Sequence, residues 1–124
     1  ASFPALSDAD WMDFARMTFR DEAGVPTVDY DPALVATVAD VSPETPMPDL
    51  WPQFEALKEL PVMVVRGEHS DILSAETAAR MAAAHPGLVL RQVPGQGHAP
   101  LFTDPALNGE IAAFIAAADK KTAG

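Results

Sequence analysis

Two stretches determine the fold expected for this 124-residue chain: residues 61–74, PVMVVRGEHSDILS, and residues 88–98, LVLRQVPGQGH. The first begins with an apolar run, Pro61 to Val65, that does not alternate with polar residues, a pattern typical of a strand buried on both faces of a parallel sheet. The second begins with a predicted strand, Leu88 to Val93, in which Arg91 is the only charged residue. Each then continues into a loop that contains glycine and titratable side chains. The sequence therefore predicts two buried strands with polar loops at their carboxyl ends.

Helices are predicted between and after these strands. Ser74 is a suitable N-cap for an alanine-rich helix that ends at His85-Pro86-Gly87, and Asp104-Pro105 begins a final helix. Two strands joined by a crossover helix of this length are expected to be parallel, with a right-handed connection. The predicted fold class is α/β, with the order strand, helix, strand, helix from residue 61 onward.

The first 50 residues predict a different kind of segment. A helix that begins after Ser7 is apolar on most sides and includes Trp11 and Phe14, and a second helix is expected to begin at Asp31-Pro32. Three prolines within residues 41–49 exclude both a helix and a central strand there and predict a linker. We therefore expect a helical segment over residues 1–50 and an α/β segment over residues 51–124.

The polar loops are the place where chemistry is expected. In a parallel sheet, ligands bind beyond the carboxyl ends of the strands, and neighbouring strands lie about 4.8 Å apart. Asp71 in the first loop is therefore within reach of His98 in the second. A carboxylate that orients an imidazole is the arrangement that a general base requires.

The same stretches resemble the end of α/β-hydrolase enzymes. In that family an aspartate follows the penultimate strand in a G-x-x-S-D-like turn, and a histidine follows the last strand in a G-x-G-H-like turn; Asp71 and His98 occupy these positions. The match covers residues 61–118 closely. Residues 1–50 resemble, less specifically, the lid inserted before the penultimate strand, and this implies that Trp11 and Phe14 line a substrate pocket.

The resemblance implies a triad whose nucleophile is not in this chain. The family's nucleophile lies on a G-x-S-x-G elbow upstream of the lid, and none of the five serines is in such a motif. The implied function is a C-terminal part of an esterase-like or lactonase-like hydrolase, inactive alone, that acts on an ester, lactone or related small substrate. Serine, aspartate or cysteine all remain open as nucleophile. The alternative is a non-catalytic interaction module that retains the hydrolase scaffold.

Other residues compete for roles at this site. Glu68 is an alternative acid, Ser70 an alternative nucleophile, and His69 could join Asp71 and His98 as a metal-binding set. We favour Asp71 over Glu68, assign Ser70 to the acid's turn, and expect no metal and no cofactor. His85 is expected to cap a helix C-terminus.

Charge and composition narrow the partners. A formal net charge of −10 repels phosphate backbones and anionic lipid headgroups, so we expect neither nucleic acid nor membrane partners. The absence of cysteine excludes a disulfide framework. No signal-peptide pattern is found at the N-terminus, which favours a cytoplasmic location. Because two strands leave an unpaired edge, we expect a second chain with the N-terminal half, or self-association, to cover it.

Overall fold

The computed structural model describes residues 3–4, 6–31, 33–37 and 48–122. Its elements, in chain order, are α1 (Asp8–Thr18), β1 (Phe19–Glu22), β2 (Val25–Val28), α2 (Ala33–Ala36), α3 (Trp51–Glu55), β3 (Met63–Gly67), α4 (Ala75–Ala84), β4 (Val89–Val93) and α5 (Pro105–Thr122). They form two compact units, one of residues Asp8–Leu50 and the other of Ala1–Ser7 with Trp51–Gly124.

The larger unit is built on a parallel pair of strands. β3 and β4 are hydrogen-bonded in parallel, with Met63 opposite Val89 and Gly67 opposite Val93. This confirms the predicted α/β class and parallel pairing. The connection contains α4, as expected for a parallel crossover. Both strands therefore end at the same edge of the sheet.

The helices of this unit begin where the sequence predicts. Ser74 is the N-cap of α4, and its Oγ accepts a hydrogen bond from the backbone N–H of Thr77 at 3.0 Å. At α5 the carboxylate of Asp104 accepts from the N–H of Ala106 at 2.9 Å. A side-chain oxygen at the N-cap satisfies one of the otherwise unpaired N–H groups of the first turn. Both strand-to-helix connections are therefore fixed locally.

The core of this unit is thin. The fully buried apolar side chains among the described residues are Ala78, Val93 and Leu107. The apolar residues of β3 are only half-buried, although the run from Met63 to Val65 is typical of a strand covered on both faces. The incomplete cover leaves an apolar groove of about 440 Å³ lined by β3 residues Met63 and Val65 and by residues of α5 and the loop before it.

The smaller unit is not wholly helical, which corrects the prediction for residues 1–50. β1 and β2 form an antiparallel hairpin in which Phe19 pairs with Val28 and Glu22 with Val25. The connecting turn has positive φ at Ala23 (55°) and Gly24 (85°), as a tight hairpin turn requires. The first helix ends at Thr18, and Phe19 begins β1. Most of the predicted linker, residues 41–47, lies outside the described residues, as does Pro32.

Candidate active site

The loops that follow β3 and β4 meet at the carboxyl edge of the parallel pair. Two hydrogen bonds join them: the N–H of His69 donates to Gln96 O at 2.8 Å, and the N–H of Gly95 donates to the Glu68 carboxylate at 2.8 Å. A third bond, from the N–H of Glu68 to Val93 O at 2.9 Å, ties the start of the first loop to the end of β4. We name residues 68–73 the acid loop and residues 94–101 the histidine loop. Their contact brings the two predicted site segments together.

Gly67 makes this contact possible. A Cβ atom built on Gly67 would overlap the carbonyl oxygens of Gln96 and Gly97. Both loops therefore approach at backbone distance, a packing that no residue with a side chain permits. Gly95, in the turn after β4, has a φ of 64°, a backbone conformation that favours glycine.

Asp71 and His98 lie in these two loops, and both side chains are exposed. Within the part of the chain that the structure describes, no hydrogen bond or ion pair joins the two side chains. Each is two residues beyond a backbone hydrogen bond that links the loops, since His69 precedes Asp71 and Gln96 precedes His98. The two loops are therefore held opposite each other, and the side chains of Asp71 and His98 are both open to solvent.

Buried polar side chains hold each loop, and sequence reasoning assigned no role to them. Gln96 is 6% exposed, and its side-chain oxygen accepts from the N–H of Leu101 at 2.6 Å, which closes the chain around His98. Arg66 is 7% exposed, and its Nε donates to Leu73 O at 2.7 Å at the end of the acid loop. The sequence signal for Arg66 is a single charge at the end of an apolar strand.

The other candidate residues, Glu68, His69 and Ser70, have contacts of their own in the acid loop. The Glu68 carboxylate, besides accepting from Gly95, lies 4.0 Å from the imidazole of His69. No group of three histidine, aspartate or glutamate side chains suited to a metal is present among the described residues, so His69, Asp71 and His98 do not converge there. The Oγ of Ser70, a buried residue, accepts from the N–H of Leu73 at 3.0 Å, so this hydroxyl stabilises the acid loop.

His85 is the C-cap residue of α4, as predicted, and its side chain is buried, with 2% exposure. Its backbone N–H caps α4 by donating to Met81 O. Its imidazole Nε2 lies 3.0 Å from Leu57 O and 3.1 Å from Leu60 O, so the ring donates to the turn that follows α3. The side chain therefore links α4 to residues 57–60 instead of interacting with its own helix end.

Trp11 and Phe14, the predicted pocket residues, lie on α1 in the smaller unit. Their rings pack edge to face with centroids 5.9 Å apart. α1 contains no buried residue, and Trp11 remains 43% exposed. The helix thus presents apolar surface, and the assignment of this pair to substrate binding stays a prediction.

Two further findings concern the chain as a whole. None of the helices in the described ranges combines the length and the apolar character needed to cross a membrane. No family model matches the sequence.

Known proteins resemble the chain over most of its length. It is 36% identical over 113 residues to the 3-hydroxybutyrate-oligomer hydrolase of Cupriavidus necator, a match that includes 86% of this chain and 38% of that protein. The crystal structure of an α/β hydrolase from Novosphingobium aromaticivorans superimposes with a TM-score of 0.75 at 37% identity, and the match covers 90% of this chain and 39% of that one. The chain thus spans about two fifths of the length of each relative. The parallel pair, its loops and both comparisons identify the chain as a segment of the α/β-hydrolase fold.

Proposed function

We propose that this chain supplies the histidine and the carboxylate of a hydrolytic triad, with His98 as general base and then acid and Asp71 as its orienting carboxylate. The observation that carries the proposal is the hydrogen-bonded contact between the acid loop and the histidine loop. Two backbone bonds and one backbone-to-carboxylate bond fix the two segments relative to each other. A base and its orienter require this kind of fixed relationship.

The chemistry follows from the roles of the two groups. His98 removes the proton from a nucleophile outside residues 1–124, and the nucleophile attacks the carbonyl carbon of the substrate. The imidazolium then returns the proton to the leaving alcohol, and a water molecule repeats the sequence to release the acid. Asp71 accepts a hydrogen bond from the other ring N–H of His98, and its negative charge stabilises the imidazolium while that ion exists.

The proposed substrate class is a carboxylic ester, with a lactone or related small molecule as the broader class. Support comes from the relative that is named a 3-hydroxybutyrate-oligomer hydrolase. Hydroxy acids joined head to tail are linked by ester bonds, so hydrolysis of such an oligomer is the same reaction type. Residues 1–50 serve as the lid of this enzyme in the proposal, with Trp11 and Phe14 in contact with the apolar part of the substrate.

The test compares the complete gene product with residues 1–124 alone. The complete protein is expected to hydrolyse p-nitrophenyl esters and 3-hydroxybutyrate oligomers, whereas residues 1–124 show no turnover. His98→Ala and Asp71→Asn are each expected to lower kcat by about 10⁴-fold, the usual cost of disabling a triad. His69→Ala is the matched control, since it removes an exposed histidine from the acid loop.

Two results would overturn the proposal. Steady ester turnover by residues 1–124 alone would reveal a nucleophile in this chain. A complete protein that folds, and whose activity is unchanged by His98→Ala, would exclude the triad. A complete protein that folds but hydrolyses no ester would favour the alternative, a non-catalytic module that keeps the hydrolase scaffold.

The partner proposal concerns the groove beside β3. In the described residues β3 pairs with β4 alone, and the groove on its apolar side exposes Phe102 and Ile115. We expect either a polypeptide with the N-terminal half or a second copy of this segment to cover the groove and the unpaired edge of β3.

We also propose a cytoplasmic location, and fractionation of the source cells would test it.

A further inference from the structure

Arg66 is a buried cation without an anionic partner in the described part of the chain. It is 7% exposed, and no carboxylate described in the structure lies within ion-pair distance of its guanidinium. Both of its recorded acceptors are neutral: Leu73 O, 2.7 Å from Nε, and the side-chain oxygen of Gln92, 3.2 Å from Nη1. Burial of an unpaired charge destabilises a fold. If the residue at position 66 contributed only packing, an apolar side chain would therefore give a more stable fold than arginine does.

One acceptor lies in the acid loop, and the other lies in the strand that leads to the histidine loop. Leu73 ends the acid loop, and Gln92 lies in β4, opposite Arg66 in the strand register and two residues before the histidine loop. The acid loop is thus held at both ends: Glu68 N–H donates to Val93 O at its start, and Arg66 binds its last carbonyl. Asp71 lies between these two anchors.

We propose that Arg66 is a positioning residue that holds the acid loop in the conformation in which Asp71 faces His98. The guanidinium is suited to this task because its planar array of donors binds two acceptors in a fixed relative orientation. Arg66 acts through Asp71 and does not contact the substrate. The inference rests on the proposed function, since it presupposes that Asp71 orients His98.

The main test is a double-mutant cycle in the complete gene product. Arg66→Met is expected to lower kcat for a p-nitrophenyl ester on the order of 100-fold, the scale of a misplaced catalytic group, with KM changed less than about threefold. In the Asp71→Asn background the same substitution is expected to lower kcat less than about threefold, because the group it positions is already disabled.

Two further variants separate positioning from folding. Arg91→Met is the matched control: Arg91 lies in β4 and pairs with Glu110 of α5, so the same chemical change is made away from both loops. Arg66→Lys keeps the charge but loses the fork geometry, and it is expected to give a kcat between those of wild type and Arg66→Met. Circular dichroism and thermal midpoints monitor folding throughout.

The outcomes are distinguishable. Equal losses from Arg66→Met in both backgrounds, or a loss that equals the unfolded fraction, would overturn the positioning role. If Arg66→Met does not fold, Gln92→Leu removes one of the two acceptors and is expected to show the same non-additivity with Asp71→Asn; additive losses would again overturn the inference. If Asp71→Asn itself leaves kcat unchanged, the proposed function fails, whatever Arg66 does.

Discussion

The backbone N–H of His69 donates a hydrogen bond to the carbonyl oxygen of Gln96 at 2.8 Å. Each of these residues precedes a proposed functional residue by two positions, Asp71 in one loop and His98 in the other. A side chain can be removed from either residue without loss of this bond, because both of its atoms belong to the backbone. Side-chain substitutions therefore affect the two loops through their other contacts.

Gly67→Ala is expected to destabilise the fold by about 3 kcal/mol or more, since the new methyl group meets the carbonyl oxygens of Gln96 and Gly97 and the loops must separate. Gly109→Ala is the control, because a Cβ at that helical position meets nothing within 4 Å. It is expected to stabilise by roughly 0.5–1 kcal/mol. Urea denaturation measures both; equal effects of the two changes would contradict the close approach.

Glu68→Gln is expected to leave kcat within about threefold of wild type, because the amide oxygen still accepts the N–H of Gly95. Glu68→Ala removes the acceptor for the N–H of Gly95, in the turn before His98. It is expected to lower kcat by about tenfold, which corresponds to the free energy of one hydrogen bond. Steady-state ester hydrolysis by the complete protein is the measurement. A loss of about 10⁴-fold in Glu68→Gln would identify Glu68, not Asp71, as the triad acid.

Ser70→Ala is expected to lower the thermal midpoint by a few degrees, since the N–H of Leu73 loses its acceptor. Ester hydrolysis should decrease less than about tenfold. Ser74→Ala is the comparison, because it likewise removes a hydroxyl that accepts a backbone N–H, at the start of α4. Complete loss of activity in Ser70→Ala alone would show that Ser70 is the nucleophile after all.

His85→Leu is expected to destabilise by about 2–4 kcal/mol, because Leu60 O loses its buried imidazole donor and Leu57 O keeps only the backbone N–H of Leu60. His69→Leu is the matched control, since that imidazole is exposed and its loss is expected to change stability by less than about 0.5 kcal/mol. Thermal or urea unfolding of the complete protein provides the comparison. A silent His85→Leu would show that the link between α4 and residues 57–60 is dispensable.

Residues 1–124 alone are expected to sediment as a species larger than the 13.1 kDa monomer, because the groove beside β3 is apolar and open. Ile115→Glu places a charge in the groove and should shift the distribution toward monomer. Ala116→Glu adds the same charge at the next, exposed position of α5, outside the groove lining, and should have little effect. A folded, dilute monomer of the unsubstituted segment would contradict the expectation.

The strands and helix starts of residues 61–122 could be predicted because their signals are local. An apolar run without alternation marks β3, and a serine or an aspartate before a helix marks α4 and α5. Both types of signal depend on residues adjacent in sequence. The parallel pairing then followed from the length of the crossover.

The hairpin of the smaller unit could not be predicted in the same way. Every residue of β1 is exposed, so Phe19–Glu22 has no burial alternation that could identify a strand. Its turn contains Ala23 and Gly24 in place of the asparagine–glycine pair that usually marks such a turn. Pro26 in β2 is a residue type that is rare inside strands, so it does not indicate one.

The distant partners of Arg66 and His85 could not be predicted from local sequence pattern either. Arg66 and Gln92 are 26 residues apart in sequence, and His85 and Leu57 are 28 apart. Which acceptor a buried donor finds depends on tertiary packing, so a single polar residue in an apolar setting indicates that a partner exists without identifying it. The prediction that Asp71 and His98 share a site rests on their loops, whose positions follow from the sheet.

The contact between the acid loop and the histidine loop lies wholly within residues 68–101, downstream of the boundary between the two compact units at Leu50 and Trp51. Genetic recombination with a break at that boundary would transfer the two loops together, with Asp71 and His98 in them, already matched to each other. A related gene could therefore acquire a different sequence upstream of Trp51 without separating the two loops. A recombination break within residues 74–88 would instead join the acid loop of one gene to the histidine loop of another. Those two loops would not have been selected to fit each other.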